Sequence, residues 1–379
     1  MDLIEQQEQQ LLLSAKSTDT ILLRHNPDKQ FLSYLAKHGF ELPNIQIVNN
    51  KTLPEDREHR QISLVPYLIT EEVDLWTRNT PERSAIGAPY DLVKKLNNKF
   101  FTRQMAINHE FRTTVGYFCN DEQELREAYT SLRNAGFEKC VLKIPYGASG
   151  KGLKIITNEQ EFLTVCKFIT RRSHQFDLLL EGWHPTQQCI NAQLWIDPTS
   201  VKLLAVTEQM IDQNGVYKGT HFTPKFSTSL MEQYRTEVLR LGSILQQKGY
   251  FGVCGVDSIV DTNGILYPII EINARFTQVT YLLPVVAKLI NTYSFIFSRY
   301  IRFETRSPQA FSNLYEKLHK RLSPDTRNGF MVYTFVRGTL PEQSKTRYRL
   351  FVLFYGSDEE KVHNMIKMFI DEHVGVDQL

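Results

Sequence analysis

CVLKIPYGASGKGLKIIT, residues 140–157, breaks into an apolar strand, a loop of small residues and a second strand over 153–157. The first strand closes in Lys143-Ile144-Pro145-Tyr146, and the loop Gly147-Ala148-Ser149-Gly150-Lys151-Gly152 has three glycines in six residues beside a hydroxyl and an ammonium. Glycines let consecutive backbone N–H groups close around an anion, so the loop has the makings of a phosphate cradle. It is not a P-loop: only Ala148 and Ser149 precede the Gly150-Lys151 pair, Gly152 follows the lysine, and a strand comes next. Nor do its glycines open a helix inside a βαβ unit, as a dinucleotide fingerprint requires. What remains is a strand–glycine loop–strand lid. A glycine-rich hairpin with an exposed lysine would carry the same residues, and on this stretch alone the two readings weigh equally.

A second stretch, GVCGVDSIVDTNGILYPIIEINARF over residues 252–276, reads as a hairpin turning at Thr262-Asn263-Gly264, with Gly264 in the left-handed position. That loop pairs Asp261 with Ile265, puts Asp257 opposite Ile269 and Glu271 opposite Gly255, and makes the two acids diagonal neighbours on one face, roughly 7–8 Å apart. Asn273 shares the face and Arg275 follows. Oxygen donors of this kind suit Mg²⁺ bridging phosphates. A solvated polar face is the weaker alternative, because Glu271 and Asn273 interrupt a strongly apolar strand.

Elsewhere the pattern alternates strands and helices. Strands are expected over 20–25, 44–48, 177–183, 189–196, 201–211, 329–337 and 348–355, and helices over 28–38, 91–109 (one or two), 229–248, 311–321 and 357–373. Asn120 with Gln123, and Asn158 with Glu161, are expected capping pairs for two further helices. Residues 213–225, with Gly215 and Gly219, are expected to be a flexible loop. The run Lys345-Thr346-Arg347-Tyr348-Arg349 reads as a solvated strand end, or less readily as a docking patch for an acidic partner.

The chain of 379 residues is long enough for two to three domains. A net charge of +2 gives no electrostatic case for nucleic acid or a membrane surface. Five scattered cysteines without a CxxC speak against both a disulfide framework and a zinc site, and fit a reduced cytoplasm. No signal peptide or apolar run of membrane-spanning length, about 20 residues, is visible.

Taken together, these pieces resemble the ATP-grasp family, in the family's order. Asn98-Lys99-Phe100 resembles its first nucleotide lysine, and Val141-Leu142-Lys143 with Gly147, Ala148, Ser149, Gly150 and Gly152 its second lysine and glycine lid. Leu179-Leu180-Glu181 resembles the hinge that reads adenine, with Trp183 and His184 beside it. Gly255-Val256-Asp257 and Glu271-Ile272-Asn273-Ala274-Arg275 resemble the magnesium strand pair. The sequence departs from the pattern in three ways. Ala274 stands where the family often has proline, Gln188 is the nearest candidate for the ribose carboxylate, and the chain continues through 306–379.

The resemblance implies an α/β (α+β) ATP-grasp fold: an N-terminal α/β domain (1–95), a central subdomain with the lid (96–180), a subdomain with the Mg²⁺ site (181–305), and a small α/β extension (306–379). It implies ATP and Mg²⁺ as cofactors, with Asp257, Glu271 and Asn273 as metal ligands. It also implies a ligase that activates a small carboxylate, such as an amino acid, as an acyl phosphate and joins it to an amine or a carrier-protein thiol. Arg275 would bind the carboxylate or the oxyanion. Lys218, and less readily His221, would close over the γ-phosphate from residues 213–225. The partners expected are the carboxylate, the acceptor and an acidic acyl-carrier protein, without nucleic acid or membrane; self-association stays open. A small-molecule kinase and a non-catalytic ATP-binding module are the competing functions.

Overall fold

The computed structural model describes residues 5–48, 61–79, 81–147, 152–213, 215–340 and 345–371. Its elements begin with β1 (Thr20–Leu23), α1 (Lys29–Lys37), β2 (Asn44–Ile47), β3 (Ile62–Leu64), α2 (Glu71–Arg78), β4 (Arg83–Ala85), α3 (Tyr90–Leu96) and α4 (Lys99–Asn108). Next come β5 (Gly116–Cys119), α5 (Glu122–Asn134), β6 (Cys140–Lys143), β7 (Leu153–Ile156), α6 (Glu159–Thr170) and β8 (Leu178–Gly182). The long strands β9 (Thr186–Ile196) and β10 (Val201–Ile211) lead to β11 (Tyr217–His221), α7 (Thr228–Gln247), β12 (Gly252–Asp261) and β13 (Leu266–Asn273). The remaining elements are α8 (Gln278–Leu289), β14 (Phe295–Thr305), α9 (Phe311–Leu322), β15 (Asn328–Leu340), β16 (Lys345–Gly356) and α10 (Glu359–Asp371). They form two compact units, one of Met1–Arg60, Lys218–Pro224 and Gln278–Leu379, the other of Gln61–Tyr217 and Lys225–Thr277.

In the second of these units, β6 and β7 form the expected hairpin, pairing Cys140 with Ile156 through Lys143 with Leu153. The Ile144 N–H donates to Gly152 O at 3.0 Å and carries the ladder toward the glycine loop. The antiparallel sheet β5-β8-β6-β7 buries one face against α5 and α6, where Leu125, Leu132, Cys140, Leu142, Ile156, Phe162, Leu178 and Leu180 share a core. Tyr129 and Phe162 stack at 3.9 Å and tie the two helices together. Asn158 caps α6 as expected, accepting from the Glu161 N–H, while Glu161 takes the Thr157 N–H in return. The other capping box lies one residue later than expected. Asp121 accepts from the Glu124 N–H and the Glu124 carboxylate takes that of Asn120, so two acids rather than an amide pair answer the helix N-terminus.

The same unit holds the strand order β13-β12-β9-β10, all antiparallel. Helix α7 lies against one face of these strands, and Gly242 permits the approach, since a Cβ there would stand 2.4 Å from Val201 Cγ1. Val256, Leu194 and Ala192 are fully buried on that side. The alternating residues Asn191, Gln193 and Asp257 therefore face the other way.

In the other unit, β1 and β2 pair in parallel, and β15, β16 and β14 run antiparallel beside one another. Phe31, Phe311 and Phe335 meet edge to face, with centroids 5.3 Å apart for the first pair and 5.2 Å for Phe311 with Phe335. Residues 213–225 are not simply a loop. They contain β11, which pairs with β14 through Gly219, Thr220 and His221. Gly219 makes this possible, because a Cβ there would meet Ser298 O at 2.0 Å. The basic run also departs from expectation at Arg349, which is buried between the rings of Tyr300 and Phe351, 4.6 Å from each. Burial, and Arg302 beside it, pull this guanidinium down to about 10. Arg347 and Lys345 are exposed, as expected, and both pair with Glu304.

All five cysteines are unpaired and buried. Burial pushes the thiols of Cys119, Cys189 and Cys254 up to about 12. No helix among the described residues is long and apolar enough to cross a membrane.

Candidate active site

The hairpin β12–β13 turns as the sequence predicts. Gly264 has φ +76°, its N–H donates to Asp261 O at 3.0 Å, and the Asp261 N–H donates to Ile265 O at 3.0 Å. Beyond the turn the register shifts. Ile259 pairs with Tyr267, but Asp257 pairs with Glu271, so β12 advances two residues while β13 advances four. The extra residues fall around Pro268, which has no N–H to give the ladder, and the Ser258 hydroxyl donates to its carbonyl at 2.7 Å instead. The two acids are thus direct neighbours rather than the diagonal pair expected, still on the expected face.

Burial, and then the charge of Glu271, push the Asp257 carboxyl above its ordinary range. Three amides answer it. Asn191 and Gln209 each donate to Oδ1 at 2.7 Å, and Asn273 donates to Oδ2 at 3.0 Å. Asn273 Oδ1 in turn accepts from Arg275 Nη2 at 2.5 Å. Arg275 also donates to Phe276 O at 3.2 Å and lies 5.4 Å from the Tyr67 ring centroid.

Helix α4 enters this face through its first residue. Asn98 caps the helix, and Lys99, buried, places Nζ 2.8 Å from Glu271 Oε1 and 2.8 Å from Gly147 O. One lysine therefore joins the acid pair to the root of the glycine loop. Just before it, Asn97 Oδ1 accepts from the Ala274 N–H at 3.2 Å. This bond exists only because residue 274 is not proline. Asn97→Ala should therefore lose about 1 kcal/mol more stability in the native chain than in an Ala274→Pro background. Urea unfolding of the four proteins checks it, and equal losses in both backgrounds would mean the bond contributes nothing.

Lys143, at the end of β6, pairs with Glu181 of β8. Glu181 also binds Arg103, and its Oε1 accepts from Thr114 Oγ1 at 2.7 Å. Burial opposes ionisation of Glu181, yet Lys143 and Arg103 outweigh it and hold the carboxyl below its ordinary range. At the hinge, Trp183 packs near Gly215 and its backbone N–H donates to Lys139 O at 2.8 Å. His184 lies between Phe137 and Tyr267, at centroid distances of 4.9 and 4.7 Å, and burial pulls its pKa down.

The structure thus brings Lys99, Asp257, Glu271, Asn273, Arg275 and Gly147 together, and joins Lys143 to Glu181. Gln188 pairs with Val260, which puts it on the face of β9 opposite Asn191. Lys218 lies on β11 in the other unit, as does His221, which stacks on Phe297 at 4.1 Å. Gly152 sits at φ +92°, whereas Ala148, Ser149, Gly150 and Lys151 lie outside the described residues.

Sequence reasoning missed Asn191, Gln193, Gln209 and Arg103. The signal for the first two was available: in Cys189-Ile190-Asn191-Ala192-Gln193-Leu194, amides alternate with apolar residues inside an otherwise core-like strand. Arg103, one helical turn after Lys99, could have been read as sharing its face.

Among the described residues, no group of three or more His, Cys, Asp or Glu side chains is placed to hold a metal. The candidate set has two carboxylates completed by the Asn273 amide. It fits a hard divalent cation on physical grounds: the donors are oxygens, and the paired acids face each other with Asp257 held by neutral amides alone.

A profile of the ATP-grasp domain matches residues 96–279. A curated relative, the [butirosin acyl-carrier protein]–L-glutamate ligase of Niallia circulans, is 42% identical over 360 residues, covering 95% of this chain and 85% of that protein. Among solved structures, an ADP complex of an N5-carboxyaminoimidazole ribonucleotide synthetase aligns with TM-score 0.62 at 15% identity, over 97% of this chain and 95% of that one. A phosphoribosylamine–glycine ligase of Thermotoga maritima aligns with TM-score 0.58 at 14% identity, over 92% and 96%.

Proposed function

Because the chain belongs to the ATP-grasp family and is an ATP-dependent ligase, we propose that its carboxylate substrate is L-glutamate and its acceptor the thiol of an acyl-carrier protein. The relative's activity supports this choice of substrates. The observation that carries the chemistry is the one face of the β12–β13 pair on which Asp257, Glu271 and Asn273 stand together, with Arg275, just beyond β13, bonded to Asn273.

In this reading a carboxylate oxygen of the substrate attacks the γ-phosphorus and ADP leaves, giving an acyl phosphate. The carrier thiolate then attacks the acyl carbon and phosphate departs. Phosphoryl transfer is mainly positioning and charge neutralisation. Lys99 and Lys143 serve the phosphates, and Gly147, Ala148, Ser149, Gly150 and Gly152 are the proposed phosphate-binding residues of the glycine loop. Asp257, Glu271 and Asn273 would hold Mg²⁺, which when bound neutralises phosphate charge. Arg275 meets the acyl phosphate and the oxyanion that follows it. Glu181, Trp183 and His184 belong to the base end, whereas Gln188, the expected ribose contact, stands on the face of β9 opposite Asn191. The division into 1–95, 96–180, 181–305 and 306–379 remains the proposed domain plan, and the cytoplasm the proposed compartment.

The test is ADP release with a panel of amino acids, with and without a phosphopantetheinylated carrier protein. L-Glutamate should be the carboxylate that drives release, and intact-mass spectrometry should find a glutamyl thioester on the carrier. Release driven by another carboxylate, or a free glutamyl amide in place of the thioester, would overturn the substrate assignment.

A further inference from the structure

Two amides are fully withdrawn from water on one strand: Gln193 is 0% exposed and Asn191 2%. Burying an amide is costly unless its bonds are made, and here the bonds form a directed chain. Thr277 Oγ1 donates to Gln193 Oε1 at 3.0 Å, Gln193 Nε2 donates to Asn191 Oδ1 at 2.7 Å, and Asn191 Nδ2 donates to Asp257 Oδ1 at 2.7 Å. Gln209, reaching from β10, places a second N–H on the same oxygen at 2.7 Å. The polarity follows from the end of the chain, because an ionised carboxylate can only accept, so every amide must turn its nitrogen toward Asp257.

The two carboxylate oxygens are consequently unequal. Oδ1 accepts two amide N–H groups, whereas Oδ2 accepts one, from Asn273. We propose that Gln209, Asn191 and Gln193 are positioning residues that lock the Asp257 carboxylate by engaging Oδ1, leaving Oδ2 as the oxygen offered to a divalent cation. None of the three is needed to touch substrate or ion. Asn191 and Gln209 act through Asp257, and Gln193 acts through Asn191. The proposal rests on the reading of Asp257 as a metal ligand.

The experiment uses the full chain and two titrations: ADP in the presence of EDTA, and Mn²⁺ into the ADP complex followed by electron paramagnetic resonance. Gln209→Met keeps the length of the side chain and removes only the donor, at a half-buried position where folding is expected to survive. It should leave ADP affinity in EDTA within about twofold while weakening Mn²⁺ by roughly 10–100-fold, the scale for losing a group that orients a metal ligand. Gln193→Met should weaken Mn²⁺ in the same direction by less, although Gln193 does not contact Asp257. A role confined to packing would not separate the two titrations. Unchanged Mn²⁺ affinity in folded Gln209→Met overturns the positioning role. The control is Asp257→Asn: if that variant binds Mn²⁺ as the native chain does, the metal reading of Asp257 falls, and with it the proposal.

Discussion

Arg275→Ala lowers kcat by roughly 10²–10³ and leaves ADP affinity nearly unchanged, the expected result of removing a donor that acts as charge develops in the transition state. The guanidinium is already aimed. Asn273 Oδ1 at 2.5 Å, Phe276 O at 3.2 Å and the Tyr67 ring hold it before any substrate arrives. Such preorganisation costs nothing at the moment of reaction, and for that reason the loss should fall on kcat. Arg275→Lys should recover only part of the rate, because an ammonium cannot reproduce the planar fork. Titration of ADP and steady-state ADP release on the same protein decide the matter. Affinity falling in step with rate would make Arg275 a nucleotide ligand.

Glu181→Ala should destabilise the fold by about 3–5 kcal/mol, as expected when one partner of a buried ionic group is removed and the others lose their counter-charge. Lys143, Arg103 and Glu181 are only 12%, 9% and 5% exposed, so water does not readily replace the lost carboxylate. The pH dependence has a defined sign. Since the folded-state pKa lies below the ordinary 4.5, the contribution is complete above that value and fades as pH falls beneath it. Urea unfolding at neutral pH and in mild acid measures both effects. A loss under about 1 kcal/mol at neutral pH would show that the triad is no more than a surface-like pair.

Much of this arrangement was legible in the sequence because it is local. The turn at Asn263-Gly264, the cap at Asn158 and the β6–β7 hairpin depend on residues within a few positions of one another. What escaped depends on partners far along the chain. Gln209 meets Asp257 across 48 residues and Arg103 meets Glu181 across 78, and no periodicity encodes such a meeting. Lys218 and His221 were expected on a flexible loop because residues 213–225 contain two glycines, Gly215 and Gly219. Gly219 instead admits a close strand approach to Ser298. Arg349 was assigned to water from its charge, but a guanidinium also suits the faces of two aromatic rings.

The shift at Pro268 also sets a rule for how this hairpin can change length. Its two extra residues preserve the side on which Glu271 and Asn273 emerge, since strand faces alternate with a period of two. Losing a single residue between Tyr267 and Glu271 would turn both toward the α7 side and bring Ile272 to the polar one. Losing two would keep the faces and simply remove the shift, leaving Glu271 opposite Asp257 in an uninterrupted register. Insertions and deletions here are therefore constrained by parity, and relatives or engineered variants of this hairpin should differ by even numbers of residues.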